Sequence, residues 1–195
     1  MKIKLYILSI LSLVAGIALG QGIHLRTAVT QSVFTDEQWP GANPTRQGYN
    51  AGFDVVIEDG ATLIMPGLHF QKMSLLPVKQ DWTNPYAEYT DIKIIKLPLQ
   101  IGFCPFETKL SDLKIHGGLV ANFLAGIDTN DKFVEEDFSD VRGAFIVGAT
   151  FRVFFMTVHA SYEYGFSKVY VDNSPSGINN KSKERMLSFG LGVYF

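Results

Sequence analysis

Beyond residue 20 the chain is written in period two. At its end Leu187, Phe189, Leu191, Val193 and Phe195 fall on one face of an extended strand, and Met186, Ser188, Gly190, Gly192 and Tyr194 on the other. Val158, Ala160, Tyr162, Tyr164 and Phe166 likewise oppose Thr157, His159, Ser161, Glu163, Gly165 and Ser167. Val141, Phe145, Val147, Phe151 and Val153 oppose Arg142, Thr150 and Arg152, while Leu113, Ile115, Leu119, Ala121 and Phe123 oppose Lys114, His116, Gly118 and Asn122. Four further segments alternate less cleanly. Ile23, Leu25 and Val29 stand against His24, Arg26 and Thr30, and Tyr49, Ala51, Phe53, Val55 and Ile57 against Asn50, Gly52 and Asp54. Ile64, Pro66, Leu68 and Phe70 oppose Gly67, His69 and Gln71; Leu97, Leu99, Ile101 and Phe103 oppose Lys96, Pro98, Gln100 and Gly102. None of these segments carries a sustained i, i+3, i+4, i+7 stripe, and all are rich in β-branched or aromatic residues, so the pattern predicts eight strands and no helical layer.

The connections alternate in length. Residues 35–47, 77–90, 128–140 and 169–183 are long, whereas 58–60, 107–112 and 154–156 are short, which puts every long loop at one end. Eight antiparallel strands with this rhythm suit either a soluble calyx, apolar inside, or a membrane barrel, apolar outside. The polar face decides. It carries Arg26, Asp54, Lys96, Lys114, Arg142, Arg152 and Glu163 beside Gly and Ser small enough for a narrow lumen, so the aliphatic face is the one that meets lipid. The expected fold is therefore all-β, an eight-stranded antiparallel up-and-down transmembrane β-barrel. Tyr49, Tyr162, Tyr164, Phe166 and Phe195 are candidates for interfacial aromatic girdles.

Residues 1–20 read as an address. Lys2 and Lys4 precede an uncharged apolar run from Leu5 to Leu19, shorter than the ~20 residues a spanning helix needs, and small residues at Ala18 and Gly20 mark a cleavage site. The reading is a cleaved signal peptide at 1–20, an outer-membrane barrel domain at 21–195, Gln21 as the first mature residue, and delivery to the cell outer membrane. Its removal lowers Lys plus Arg from 17 to 15 against 19 Asp plus Glu. With no basic excess, nucleic acid is not an expected partner. The single cysteine, Cys104, removes disulfide frameworks and cysteine-cluster metal sites together.

Short motifs then line up in order: Pro66-Gly67-Leu68 in the third strand, Ile95-Lys96-Leu97-Pro98-Leu99 in the fourth, Gly117-Gly118-Leu119 in the fifth, and Ser188-Phe189-Gly190-Leu191-Gly192-Val193-Tyr194-Phe195 in the last. In these the chain resembles the eight-stranded outer-membrane β-barrel family of Bacteroidetes called PorT-like, over essentially all of residues 22–195. Gly67 stands where that family leads one to expect an acidic residue after the proline, and Arg26-Thr27-Ala28 where a glycine is common. The resemblance implies a membrane subunit that assists protein secretion or surface assembly. A last strand ending in an aromatic residue is similar to the signal read by barrel-assembly machinery, which gives Phe195 a role in biogenesis.

An eight-stranded barrel is only just filled by its own side chains, so an open diffusion channel is not expected. The lumen bases Arg26, Lys96, Lys114, Arg142 and Arg152 face Asp54 and Glu163, with Glu184 near the rim, and a salt-bridge network locking the barrel is the expected arrangement. His24, His69, His116 and His159 all fall on the inward face without i, i+2 or i, i+4 pairing, which favours structural hydrogen bonding over metal ligation. Residues 128–140 hold Asp128, Asp131, Glu135, Glu136, Asp137 and Asp140 against Lys132 alone and lack the spacing of a calcium loop. Trp39, Trp82, Tyr86 and Tyr89, with Asp128 and Asp131, are candidates for binding by the long loops.

No cofactor, metal site or catalytic residue is expected. His69 and Ser74, the nearest nucleophile–base pair, lie on opposite faces of one strand. The sequence thus points to a structural and binding module acting through long extracellular loops. Its expected partners are outer-membrane lipid, barrel-assembly machinery and an extracellular or secretion-system protein. The alternatives are the secretion subunit and, third, a lipid-modifying enzyme.

Overall fold

The computed structural model describes residues 22–35, 45–74, 91–128, 135–169, 171 and 183–195. Its strands are β1 (Gly22–Thr35), β2 (Thr45–Asp59), β3 (Thr62–Ser74), β4 (Asp91–Glu107), β5 (Ser111–Ile127), β6 (Val141–Val153), β7 (Met156–Gly165) and β8 (Lys183–Tyr194), with a single 3₁₀ turn at Glu135–Asp137. Each pairs antiparallel with its sequence neighbours, and β1 pairs with β8, so the sheet closes into a barrel. Closure leaves no unpaired edge. The proposed signal peptide, Gln21 and much of the long loops lie outside the described residues.

The eight segments expected from alternation are all strands, and most reach several residues further toward the long-loop end. The side of the barrel each face takes follows the polar-in reading. His24, Asp54, His69, Lys96, Gln100, Lys114, His116 and Glu163 are buried inside, whereas Leu25, Val29, Leu99, Ile101, Phe145, Val158, Phe189 and Leu191 are exposed outside. A calyx needs the reverse, and its reading ends here.

Two irregularities have local causes. Register slips by one residue between Phe103 and Phe106 of β4, where Pro105 has no N–H to give the ladder. A second slip, at Lys93/Ile94, leaves Ala125 of β5 unmatched beside Gly126, whose φ is +154°.

The short turns share one end with Gly22 and Phe195. The β2–β3 turn is Gly60-Ala61 after Asp59, with Gly60 at φ +59°. The β6–β7 turn is Phe154-Phe155, and Phe154 holds φ +56° at the position where a two-residue turn ordinarily takes Gly or Asn. For an L residue with a bulky side chain that conformation costs about 1–2 kcal/mol. Neighbouring backbone secures it: the Phe154 N–H donates to the Leu110 carbonyl at 2.7 Å, and the Tyr194 N–H to the Phe155 carbonyl at 2.7 Å.

Candidate functional site: a filled lumen and an apolar belt

Inward positions along each strand stack into layers from the turn end to the loop end. In the lowest, Lys114 Nζ lies 2.8 Å from Glu58 Oε1 and 3.4 Å from Asp112 Oδ1, and Arg152 pairs with the other Asp112 oxygen. Both cations also sit over the Tyr194 ring, at 4.4 and 4.5 Å from its centre. An apolar layer of Val56, Leu63 and Met65 packs against that same Tyr194.

Above it the histidines act as struts. His24 Nε2 shares a 2.7 Å hydrogen bond with Thr157 Oγ1, and its ring meets His159 edge-on at 6.0 Å. His116 joins Gln100 Oε1 at 2.7 Å to Thr150 Oγ1 at 3.2 Å. Among the described residues no three His, Cys, Asp or Glu side chains come together as a metal ion would require.

The central layer is built around Asp54, which is fully buried. Arg26 Nε approaches its Oδ2 at 2.7 Å, and His69 Nε2 its Oδ1 at 2.9 Å, while His69 Nδ1 lies 3.1 Å from Asn50 Oδ1. Asp54 is the cross-strand partner of Gly67, and a Cβ added at Gly67 would fall 2.1 Å from Asp54 Oδ1. The space that a side chain at position 67 would take is thus filled from the facing strand by the Asp54 carboxylate. Beside this group Lys96 Nζ meets Glu163 Oε1 at 2.5 Å. Arg26, Asn50, His69, Lys96 and Glu163 border a cavity of about 20 Å³, space for about one water.

Near the loop end Arg142 Nη1 pairs with Glu184 Oε2 at 3.2 Å, and Ser32 Oγ donates to Glu184 Oε1 at 3.0 Å. Met73, Ile92 and Ile94 then close the lumen with Phe138 and Val169, two residues that arrive from the connections after β5 and β7. Every base proposed for the lumen therefore has a carboxylate partner. Asp112 and Glu58 were not among the expected acids, although the parity of Asp112 with Lys114 places both on one face. The inward apolar layers were not expected either.

On the outer face charge is confined to the ends. Lys72, Lys93 and Arg185 mark the loop-side edge, paired with Asp91 at 2.6 Å, with Asp128 at 3.0 Å, and stacked over the Tyr164 ring at 5.3 Å respectively. Tyr49, Tyr162, Tyr164 and Phe166 lie on the outside toward this end, and Phe103, Phe106, Phe154, Phe155 and Phe195 toward the other. At ~3.3 Å per residue and ~40° tilt, the stretch of β7 from Tyr164 to the Phe155 turn covers roughly 20–25 Å of barrel height. Phe195 is 71% exposed, while its backbone exchanges two 2.9 Å hydrogen bonds with Ile23. Of the loop candidates, Asp128 is exposed and bound to Lys93; Trp39, Trp82, Tyr86, Tyr89 and Asp131 lie outside the described residues.

No family model and no curated protein matches the chain. Among solved structures the barrel is similar to Ail, the attachment invasion locus protein of Yersinia pestis, with 12% identity, 90% of this chain and 99% of that chain covered, and a TM-score of 0.48. It is also similar to the N-terminal β-barrel domain of Pseudomonas aeruginosa OprF, at 11% identity with 88% and 97% covered and a TM-score of 0.36. The NanC porin follows at 10% identity, 89% and 99% coverage and a TM-score of 0.29. The chain forms a closed, all-antiparallel barrel of eight strands, with its charges paired inside and its apolar side chains outside.

Proposed function

We propose that this chain is an outer-membrane β-barrel that works as a rigid scaffold for its long extracellular loops, which do the binding. The observation that carries the reading is the inversion of the faces. The outside is an apolar belt with charge only at its edges, while the inside holds paired Arg, Lys, Asp and Glu, an arrangement stable in hydrocarbon and unfavourable in water. The filled lumen argues for a support rather than a conduit, since apolar layers close it near both ends. Binding then falls to the loops that carry Trp39, Trp82, Tyr86, Tyr89, Asp128 and Asp131. Barrel-assembly machinery is the partner in biogenesis, with the exposed Phe195 as its contact.

The test is membrane fractionation with electrophoresis of boiled and unboiled samples. Enrichment in the outer membrane with a heat-dependent mobility shift supports the reading, and a soluble protein without a shift ends it. Pull-down with the long loops exchanged for short turns then asks whether a partner is lost with them. The ordered motifs shared with PorT-like barrels favour a second reading, a membrane subunit of protein secretion or surface assembly. Stoichiometric recovery of a periplasmic or membrane protein, independent of the loops, would select it.

A further inference from the structure

The three short turns at the end that carries Gly22 and Phe195 are chemically unequal. The β2–β3 turn is polar: Glu58 and Asp59 lead into Gly60-Ala61, and the glycine takes the positive φ. Halfway round the barrel, the β6–β7 turn is apolar to its tip, where Phe154 and Phe155 are 62% and 60% exposed between Val153 and Met156. Phe154 occupies the same place in its turn as Gly60, at nearly the same φ, and meets the strain that glycine avoids there. Nothing in the barrel packing needs a phenylalanine at that place, because most of its side chain is exposed.

The flanking turn of β4–β5 is mixed: Phe106 and Leu110, both about half exposed, stand beside Glu107, Thr108 and Lys109. The apolar residues of the two turns are brought together by the hydrogen bond from Phe154 N–H to the Leu110 carbonyl. Phe106, Leu110, Phe154 and Phe155 carry the apolar surface of Phe103, Phe151 and Val158 on past the end of the strands.

We infer that the Phe106, Leu110, Phe154 and Phe155 tips are a lipid anchor, buried in the near leaflet while the β2–β3 turn stays in water, so that the barrel sits tilted. The inference rests on the outer-membrane reading, and its occupant is the acyl and headgroup boundary of that leaflet. Continuity with the lipid-facing belt favours lipid over a protein partner.

Quenching of tryptophan by lipids brominated on their acyl chains tests it. The full chain carrying Trp39→Phe and Trp82→Phe is refolded into phosphatidylcholine vesicles with one tryptophan added: Phe155→Trp at the apolar tip, Ala61→Trp at the polar tip, or Leu97→Trp in the middle of the belt. The expected result is strong quenching for Leu97→Trp, and quenching at Phe155→Trp roughly threefold or more that at Ala61→Trp. Equal quenching at the two tips would overturn the tilt. An unquenched Phe155→Trp beside a quenched Leu97→Trp would overturn the anchor, leave the membrane reading intact, and hand the tip to a periplasmic protein. An unquenched Leu97→Trp would overturn the membrane reading itself, and the anchor with it.

Discussion

Lys96 of β4 and Glu163 of β7 are ion-paired at 2.5 Å although their strands share no ladder, so the bond runs across the lumen and braces one wall against the other. Both side chains are buried. Removing one partner leaves a charge in a medium that cannot solvate it, which costs about 3–5 kcal/mol, whereas replacing both by apolar side chains of similar size is close to neutral. Lys96→Met and Glu163→Leu are each expected to lower the urea midpoint of the refolded barrel, and the double variant to recover most of the loss. A double variant as unstable as the sum of the two singles would show that the pair is not a unit.

The outer face is expected to report its solvent directly. Leu99 is 57% exposed in the middle of the belt. Leu99→Arg should destabilise the barrel in lipid vesicles by about 2–4 kcal/mol. On a water-facing surface the same change would be neutral or helpful. Urea titration in vesicles gives the sign.

The Asp54 and Gly67 pair makes a sharper prediction. Gly67→Ala drives a methyl group against the Asp54 carboxylate, the hub for Arg26 and His69, and should cost about 1–3 kcal/mol. The exchange of Asp54→Gly with Gly67→Asp moves the carboxylate to the facing strand. It should restore part of the stability lost in Asp54→Gly alone, read as the midpoint of the heat-dependent mobility shift.

Phe138 is expected to be the keystone of the loop-side plug. It is 2% exposed against Met73, Ile92 and Ile94. Phe138→Ala should cost about 3 kcal/mol and admit water to the upper lumen, visible as faster hydrogen exchange at the amides of Ile92 and Ile94.

Phe195 separates assembly from stability. Its ring is exposed and its backbone holds the seam, so Phe195→Ala should leave the urea midpoint of refolded protein within about 0.5 kcal/mol of the parent. In cells the same variant should accumulate unassembled in the periplasm. Normal assembly would remove Phe195 from the biogenesis proposal.

How much of this was legible in the sequence follows from what alternation can say. Period two assigns faces, so the strands around Lys96, Arg142 and Glu163 and the side each takes were readable once the charges had to share a face. It does not say how a face changes along its length. Met73, Ile92 and Ile94 are inward and apolar because Phe138 and Val169 fold back onto them, and neither loop residue advertises that in a segment dominated by carboxylates or polar residues. Asp112 and Glu58 were missed for a related reason: they sit where a strand meets a turn, and a charge there is equally at home in water. The role of Asp54 beneath Gly67 needs cross-strand register, which pairs residues that the chain itself keeps apart.

The seam at Ile23 and Phe195 has a bearing on how the molecule is made. Pairing β1 with β8 closes a loop of nearly the whole described chain, the contact with the greatest entropy to overcome. Seven hairpin-like pairings can form between neighbours before this one, and until it forms the sheet has two raw edges, each a template for another chain. The interval before closure is therefore when aggregation threatens, because the sheet is then open with its apolar belt already exposed.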